Sequence, residues 1–168
     1  MKPKIIISAS VAIIIMIIIA LFLATRTSPS TKVYVDPTTV ERAVSQNFTV
    51  SIYASSVTDL YGWEFKLGWN QTILDLVNVM EGTFLKEKGP TFLTSKLNST
   101  IGYVLVDCSL LGDTTGVNGT GLLASIEFQV KETGNCKLDV YDTKLVDPNG
   151  ETISHTTADA HFSTTSSY

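Results

Sequence analysis

Within the stretch LYGWEFKLGW, Leu60 to Trp69, positions 62 to 69 alternate strictly between two kinds of side chain. Large apolar side chains occupy its odd positions and small or charged ones its even positions: Trp63, Phe65, Leu67 and Trp69 against Gly62, Glu64, Lys66 and Gly68. Because successive side chains of a β-strand point to opposite faces of a sheet, this pattern predicts a strand with one buried and one exposed face. We expect both tryptophans in the core, since burying each large side chain is worth about 2–3 kcal/mol.

The same period of two continues along the chain on both sides of this stretch. Apolar side chains alternate in Phe48–Ala54 and in Leu122–Val130, and Ile101–Leu111 is apolar on both phases. Gly, Pro and Asn turn signals separate the runs, and after residue 30 only Thr83–Lys88 suggests a helical turn. About nine short strands at this spacing predict an all-β protein, an antiparallel two-sheet β-sandwich.

The N-terminal region differs in composition from the rest of the chain. Two lysines precede Ile5–Ala24, a segment without a charged residue. A basic start and an apolar segment of about 20 residues are typical both of a cleaved signal peptide and of an uncleaved transmembrane helix. We therefore predict an export or anchoring segment with a hydrophobic helix over residues 1–24. A polar spacer over 25–31, a sandwich over 32–163 and a disordered tail over 164–168 follow it.

The charge balance and the glycosylation motifs fit a location outside the cell. The formal net charge of −4 disfavours nucleic acid as a partner, because nucleic-acid binding needs a basic surface. Four Asn-x-Ser/Thr motifs predict N-glycosylation at Asn47, Asn70, Asn98 and Asn118, although a Thr-rich composition also produces such motifs by chance.

The chain has two cysteines, Cys108 and Cys136. In an exported protein a pair of cysteines favours a disulfide, which here would join two strands. The alternative is that both are buried thiols that pack as small apolar side chains.

The sequence contains no convincing catalytic or metal site. It has no HExxH or Gly-x-Ser-x-Gly motif, and His155, Asp159 and His161 are better explained as exposed polar residues of a terminal strand than as metal ligands. Asp147–Glu151 resembles part of a calcium loop, but a hairpin turn at Asn149-Gly150 explains it as well. We therefore predict a protein that is not an enzyme and needs no cofactor, with calcium as a minor possibility.

The order of these features resembles a cohesin domain over residues 32–162. Two segments carry most of the resemblance, Leu60–Gly82 and Gly119–Val130. The second follows the pattern Gly-x-Gly-x-Leu-Ala-x-Ile-x-Phe-x-Val at Gly119, Gly121, Leu123, Ala124, Ile126, Phe128 and Val130. The resemblance implies a nine-stranded jelly-roll sandwich, related in fold to carbohydrate-binding modules.

The resemblance also implies a protein partner, a dockerin-like module, bound on one sheet face. That face would comprise the even positions of the opening strand and residues of the strand beside it, namely Gly62, Glu64, Lys66, Gly68, Val104 and Val106. Family members often carry Asn and Asp where this chain has Gly62 and Glu64, so only Glu64 keeps a carboxylate.

Three functions follow from the sequence. The first is an exported or surface-anchored protein-interaction domain. The second is a carbohydrate-binding module, which would need aromatic rings displayed on the surface. The third is a structural subunit of a surface layer or filament that joins its neighbours through sheet edges.

Overall fold

A computed structural model of the protein describes residues 30–165. The helix predicted over residues 5–24, most of the predicted spacer, and the tail residues 166–168 lie outside this range. Within residues 30–165, no helix is long and apolar enough to cross a membrane.

The described chain forms eleven strands and one short 3₁₀ turn, Leu85–Glu87. The strands are β1 Lys32–Asp36, β2 Thr39–Arg42, β3 Asn47–Leu60, β4 Gly62–Gly68, β5 Leu74–Glu81, β6 Thr91–Asn98, β7 Tyr103–Leu110, β8 Val117–Val130, β9 Asn135–Val146, β10 Thr156–Ala158 and β11 Ala160–Thr164. The 3₁₀ turn confirms the helical turn predicted within Thr83–Lys88.

The strands form two sheets that pack face to face. The five-stranded sheet has the order β10-β1-β3-β8-β5, and the six-stranded sheet has the order β2-β11-β9-β4-β7-β6. The predicted two-sheet sandwich is confirmed. The count exceeds nine because the chain changes sheet between β1 and β2 and again between β10 and β11. The pairs β1–β10 and β2–β11 are parallel, whereas the sequence predicted antiparallel strands throughout.

The opening stretch forms β4, and its odd positions face the core as predicted. Trp63 is 4 % exposed and Trp69 is 8 % exposed. The Trp69 indole N–H donates a 3.0 Å hydrogen bond to the Leu74 carbonyl, and the ring meets Phe128 edge-on. The two tryptophans therefore cannot serve as a surface platform for a sugar ring, which removes the main support for a carbohydrate-binding module.

The sandwich continues slightly past its predicted end. Strand β11 includes Thr164, whose hydroxyl donates to the Gly134 carbonyl, and the Thr165 N–H donates to the Arg42 carbonyl. The predicted disordered tail from residue 164 is wrong for these two residues, because Phe162 on the same strand is buried in the core and holds the chain in place.

Candidate protein-binding face

The even positions of β4 lie on the outer face of the six-stranded sheet. On this face Glu64 lies between Asp107 of β7 and Lys144 of β9, and Lys66 lies between Leu105 and Tyr141. Strand β6 adds a fourth row. Within the described residues this outer face, called the β4 face below, is formed by outward side chains of β9, β4, β7 and β6.

Two of the residues predicted for this face belong to the core instead. Val104 is 1 % exposed and Val106 is fully buried. They pair with Leu67 and Phe65, and directly opposed residues of paired strands point to the same side of a sheet. The prediction was wrong at Val104 and Val106, because the polar residues Asp107 and Ser109 mark the other phase of β7 as the outward one. The apolar Tyr103 and Leu105 on that same outward phase obscure the alternation.

The outward residues of β7 are Tyr103, Leu105, Asp107 and Ser109, and all four are partly exposed. Apolar residues on both phases are typical of a strand covered on both sides, but within residues 30–165 the outward side of β7 is only partly covered. Tyr103 and Leu105 therefore present apolar surface at the centre of the β4 face.

Two ion pairs link β4 to β9 across the face. The Lys66 ammonium lies 2.8 Å from Asp142 Oδ2, and the Lys144 ammonium lies 2.8 Å from Glu64 Oε1. The hydrogen bond to Asp142 raises the pKa of Lys66. Exposed pairs of this kind contribute little to stability, so their main effect is to fix the positions of two cations and two anions on the surface.

Two tyrosine rings enclose Lys66. Its ammonium is 5.4 Å from the ring centre of Tyr103 and 5.9 Å from that of Tyr141, and the two rings meet edge-on at 6.4 Å. Cations near aromatic faces are attracted by the ring electrons. Tyr141 also lies over Gly68, where a Cβ would be 3.2 Å from its Cε1 atom. Gly68 therefore allows the tyrosine to lie close to the sheet.

At the other end of β4 the absence of a side chain leaves a shallow depression. Its floor is Gly62, and its walls include Asp107, Ser109, Lys144 and Val146. A Cβ at Gly62 would be 3.2 Å from Val146 Cγ2. The sequence had suggested that Gly62 is exposed on the outer face. In the structure its neighbours bury it.

Several residues of this face were missed at the sequence level. Tyr141 and Lys144 belong to β9, whose pairing with β4 shifts register between Glu64 and Lys66, so a simple alternation does not locate them. Phe92 on β6 is 58 % exposed, and no pattern in the sequence marks it. For Tyr103 and Leu105 the one available signal was that apolar residues occur at both odd and even positions of β7.

Both cysteines are free, so the predicted disulfide is wrong. Cys108 pairs with Trp63 on β4, and Leu145 of β9 pairs with Trp63 from the other side. The segment Cys136–Leu145 therefore separates the two cysteines along the sheet, a length of roughly 25 Å. A disulfide needs its Cα atoms within about 7 Å.

Burial raises the pKa of Cys108 to about 12 and also raises that of Cys136.

The four glycosylation motifs lie in different places. Asn47, Asn70 and Asn118 are exposed, and Asn98 is half-buried at the end of β6. Asn98 shares the β4 face with Tyr103, its partner in the ladder. Whether any of the four carries a glycan remains a prediction.

The side chains that the sequence offered as candidate metal or calcium ligands make hydrogen bonds to nearby groups of the protein instead. Asp147 Oδ1 accepts the backbone N–H groups of Asn149 and Glu151, which closes a loop rather than a two-residue hairpin turn. These bonds lower the pKa of Asp147. Asp159 binds Lys137 and the Val140 N–H, while His155 contacts Thr143. Among residues 30–165, no three His, Cys, Asp or Glu side chains are close enough to hold a metal ion.

Comparison with solved structures finds the same fold in proteins of low sequence identity. A non-cellulosomal cohesin from the archaeon Archaeoglobus fulgidus has a TM-score of 0.69 and 15 % identity, with 82 % of this chain and 92 % of that chain covered. The sixth cohesin of scaffoldin B from Acetivibrio cellulolyticus, solved with a Cel5 dockerin mutant, has a TM-score of 0.66 and 14 % identity, covering 81 % and 99 %.

A third structure, the OlpC cohesin of Clostridium thermocellum in complex with Doc435, has a TM-score of 0.65 and 8 % identity, covering 83 % of this chain and 99 % of that chain. None of the curated proteins compared with the chain matches it. The sequence pattern of the cohesin domain family matches residues 33–164. Cohesin domains are non-catalytic binding modules, and this chain belongs to the cohesin domain family.

Proposed function

We propose that the protein binds a dockerin-like protein module through the β4 face. The observation that carries the proposal is the outward row of β7, where Tyr103 and Leu105 are only partly covered. Two ion pairs border this apolar centre, Glu64–Lys144 and Lys66–Asp142. An apolar centre with a polar rim is the usual anatomy of a protein interface.

The partner is proposed from related proteins. Structures of two relatives contain a cohesin bound to a dockerin. The chemistry of the β4 face supports the same class of partner here, because the face carries two ion pairs and exposes the aromatic side chains of Tyr103, Tyr141 and Phe92. Tyrosine is enriched in protein interfaces, since it combines a large apolar surface with a hydroxyl group.

The test uses the full-length chain in detergent and a panel of purified dockerin modules, including the two whose complexes with related cohesins have been solved. We expect at least one to bind, and Leu105→Asp to weaken that binding about 30-fold, the effect of losing a 2 kcal/mol hot spot. The matched control is Leu122→Asp. Leu122 is also partly exposed, but it pairs with Tyr53 on the outer face of the opposite sheet.

Two results would contradict the proposal. If no dockerin binds, the class of partner is wrong. If a dockerin binds and both leucine variants weaken it equally, the effect is structural and the β4 face is not the interface.

We also propose that the sandwich lies outside the cell, either anchored by residues 5–24 or released after cleavage. The charge-free apolar segment and the exposed positions of Asn47, Asn70 and Asn118 support this location. Protease treatment of intact cells tests it, because an external domain is degraded while a cytoplasmic marker survives. N-terminal sequencing of the mature protein then distinguishes an anchor from a cleaved signal.

A further inference from the structure

Among the edge strands of the two described sheets, β6 differs from the others in length and regularity. Strand β10 has three residues, and β2 has four that include Glu41 and Arg42. Strand β5 has eight residues, as β6 does, but its pairing with β8 shifts register between Leu76 and Asn78. Strand β6 has eight residues and pairs with β7 from Thr91 to Asn98 without a shift.

Strand β6 has few of the features that normally keep a sheet edge from pairing with another chain. Edge strands are usually protected by charged side chains, especially lysine, by a proline or by a bulge. Strand β6 has only one of these, the charge of Lys96. Apolar side chains are exposed on both of its faces, with Phe92 at 58 % on the outer face and Leu97 at 50 % on the inner face.

The inner row of β6 is symmetric about its centre. Leu93, Ser95 and Leu97 point to the inner side, because they pair with Cys108, Val106 and Val104. If a second copy of β6 lies antiparallel with Ser95 opposite Ser95, Leu93 of each copy lies opposite Leu97 of the other. The two contacts are identical by symmetry, as an isologous interface requires.

The outer row fits the same register without a charge conflict. Thr94 lies opposite Lys96 of the second copy, so the two lysines do not oppose each other. Phe92 lies opposite Asn98 of the second copy, so this pairing requires that the predicted glycan at Asn98 is not attached. Because this register pairs inner with inner and outer with outer positions, it keeps both apolar rows on the correct faces, whereas a one-residue slip would exchange them.

We propose that two copies of the protein associate through β6, antiparallel and centred on Ser95. The six-stranded sheets of the two copies would then form one sheet of twelve strands (six plus six). The outer faces of both copies lie on the same side of this sheet. The dimer would therefore present two β4 faces together, and it does not depend on which partner those faces bind.

The test places a cysteine on the symmetry axis. In the proposed register the two Ser95 Cα atoms are about 4.5–5.5 Å apart, which is within the range of a disulfide. The full-length Ser95→Cys chain, produced without N-glycans and held in detergent, should form a covalent dimer on mild oxidation. The unmodified chain, which has two native cysteines, and Glu41→Cys on the edge strand β2 are the matched controls.

A second substitution in the same background separates this contact from chance collisions. Adding Leu97→Lys to Ser95→Cys places a charge opposite Leu93 of the other copy, and we expect cross-linking to slow at least tenfold. Leu97 is half exposed in the single copy, so the variant should keep its unfolding midpoint.

Three outcomes would overturn the proposal. The first is cross-linking of Ser95→Cys no faster than that of Glu41→Cys. The second is a cross-linking rate that Leu97→Lys leaves unchanged. The third is a dimer that light scattering detects but that Ser95→Cys does not trap, because its contact would lie elsewhere.

Discussion

Lys66 on β4 and Asp142 on β9 form a 2.8 Å ion pair at the point where the ladder between these strands loses its register. Asp142 has a backbone φ of 47°, in the left-handed region that side chains other than glycine rarely adopt. The resulting bulge directs the carboxylate toward Lys66. The charge pattern of the β4 face thus depends on one unusual backbone conformation.

This conformation gives a prediction about stability. Asp142→Val should destabilise the protein more than Asp142→Gly, by about 1–2 kcal/mol, because a left-handed backbone is costly for L-residues and most of all for β-branched ones. Both variants remove the carboxylate, so their difference isolates the backbone effect. Urea unfolding measures it, and equal midpoints for the two variants would show that residue 142 does not hold this conformation in solution.

A second prediction concerns the close approach of Gly121 to Phe84. A Cβ at Gly121 would lie 2.1 Å from the Phe84 ring, and that ring is 3 % exposed. Gly121→Ala must therefore displace a buried phenylalanine, and we expect a loss of about 1–3 kcal/mol, as for other overpacked cores.

The matched control for this variant is Gly89→Ala. A Cβ at Gly89 has no neighbour within 4 Å and no unusual φ, so this substitution should leave the unfolding midpoint nearly unchanged. If the two alanine variants unfold at the same denaturant concentration, the packing of Phe84 against Gly121 is not maintained in solution.

Much of the fold was predictable because β4 and its neighbours obey a period of two. The alternation in Leu60–Trp69 predicts which side chains are buried, and burial of Trp63, Phe65 and Leu67 follows directly from it. The strand count was less predictable. The chain changes sheet between β1 and β2, and a short interruption of this kind looks like a turn in the sequence.

The binding face was predictable on β4 but not beside it. On β7 the polar Asp107 and Ser109 mark the outward phase, but the apolar Tyr103 and Leu105 on the same phase obscure it. The register between strands is a long-range property, so the sequence could not show that Cys108 and Cys136 lie at distant levels of the sheet. The position of Asp142 depends on a bulge with a positive φ. Aspartate adopts this conformation more readily than most residues, but its presence alone does not mark such a bulge in the sequence.

A third prediction concerns Glu81, which closes the sandwich near the start of β6. It accepts hydrogen bonds from Thr91 and Cys108 and pairs with Lys86 at 3.0 Å. Burial by itself raises the pKa of Glu81, but the hydrogen bonds from Thr91, Lys86 and Cys108 outweigh it, and the pKa falls below its ordinary value of 4.5.

A carboxylate with a lowered pKa in the folded state contributes stability above its unfolded pKa, and this contribution is lost as the pH falls through the folded value. The stability of the unmodified protein should therefore decrease below about pH 4.5. Glu81→Gln should reduce the slope of that decrease. Urea unfolding between pH 3 and pH 7 measures both curves, and parallel curves would contradict the assignment.

The last prediction concerns the two thiols. With a pKa of about 12, the Cys108 thiol carries almost no thiolate at pH 8, on the order of one molecule in ten thousand. In the folded Cys136→Ser variant, Cys108 should therefore react negligibly with Ellman's reagent. The same variant should release one equivalent after unfolding in urea, and the unmodified chain should release two.

Because no disulfide stabilises the fold, dithiothreitol should leave the thermal midpoint unchanged. If the unmodified chain in urea reacts with Ellman's reagent only after reduction, its two cysteines form a disulfide. That disulfide would require β7, β4 and β9 to pair differently from the arrangement described above.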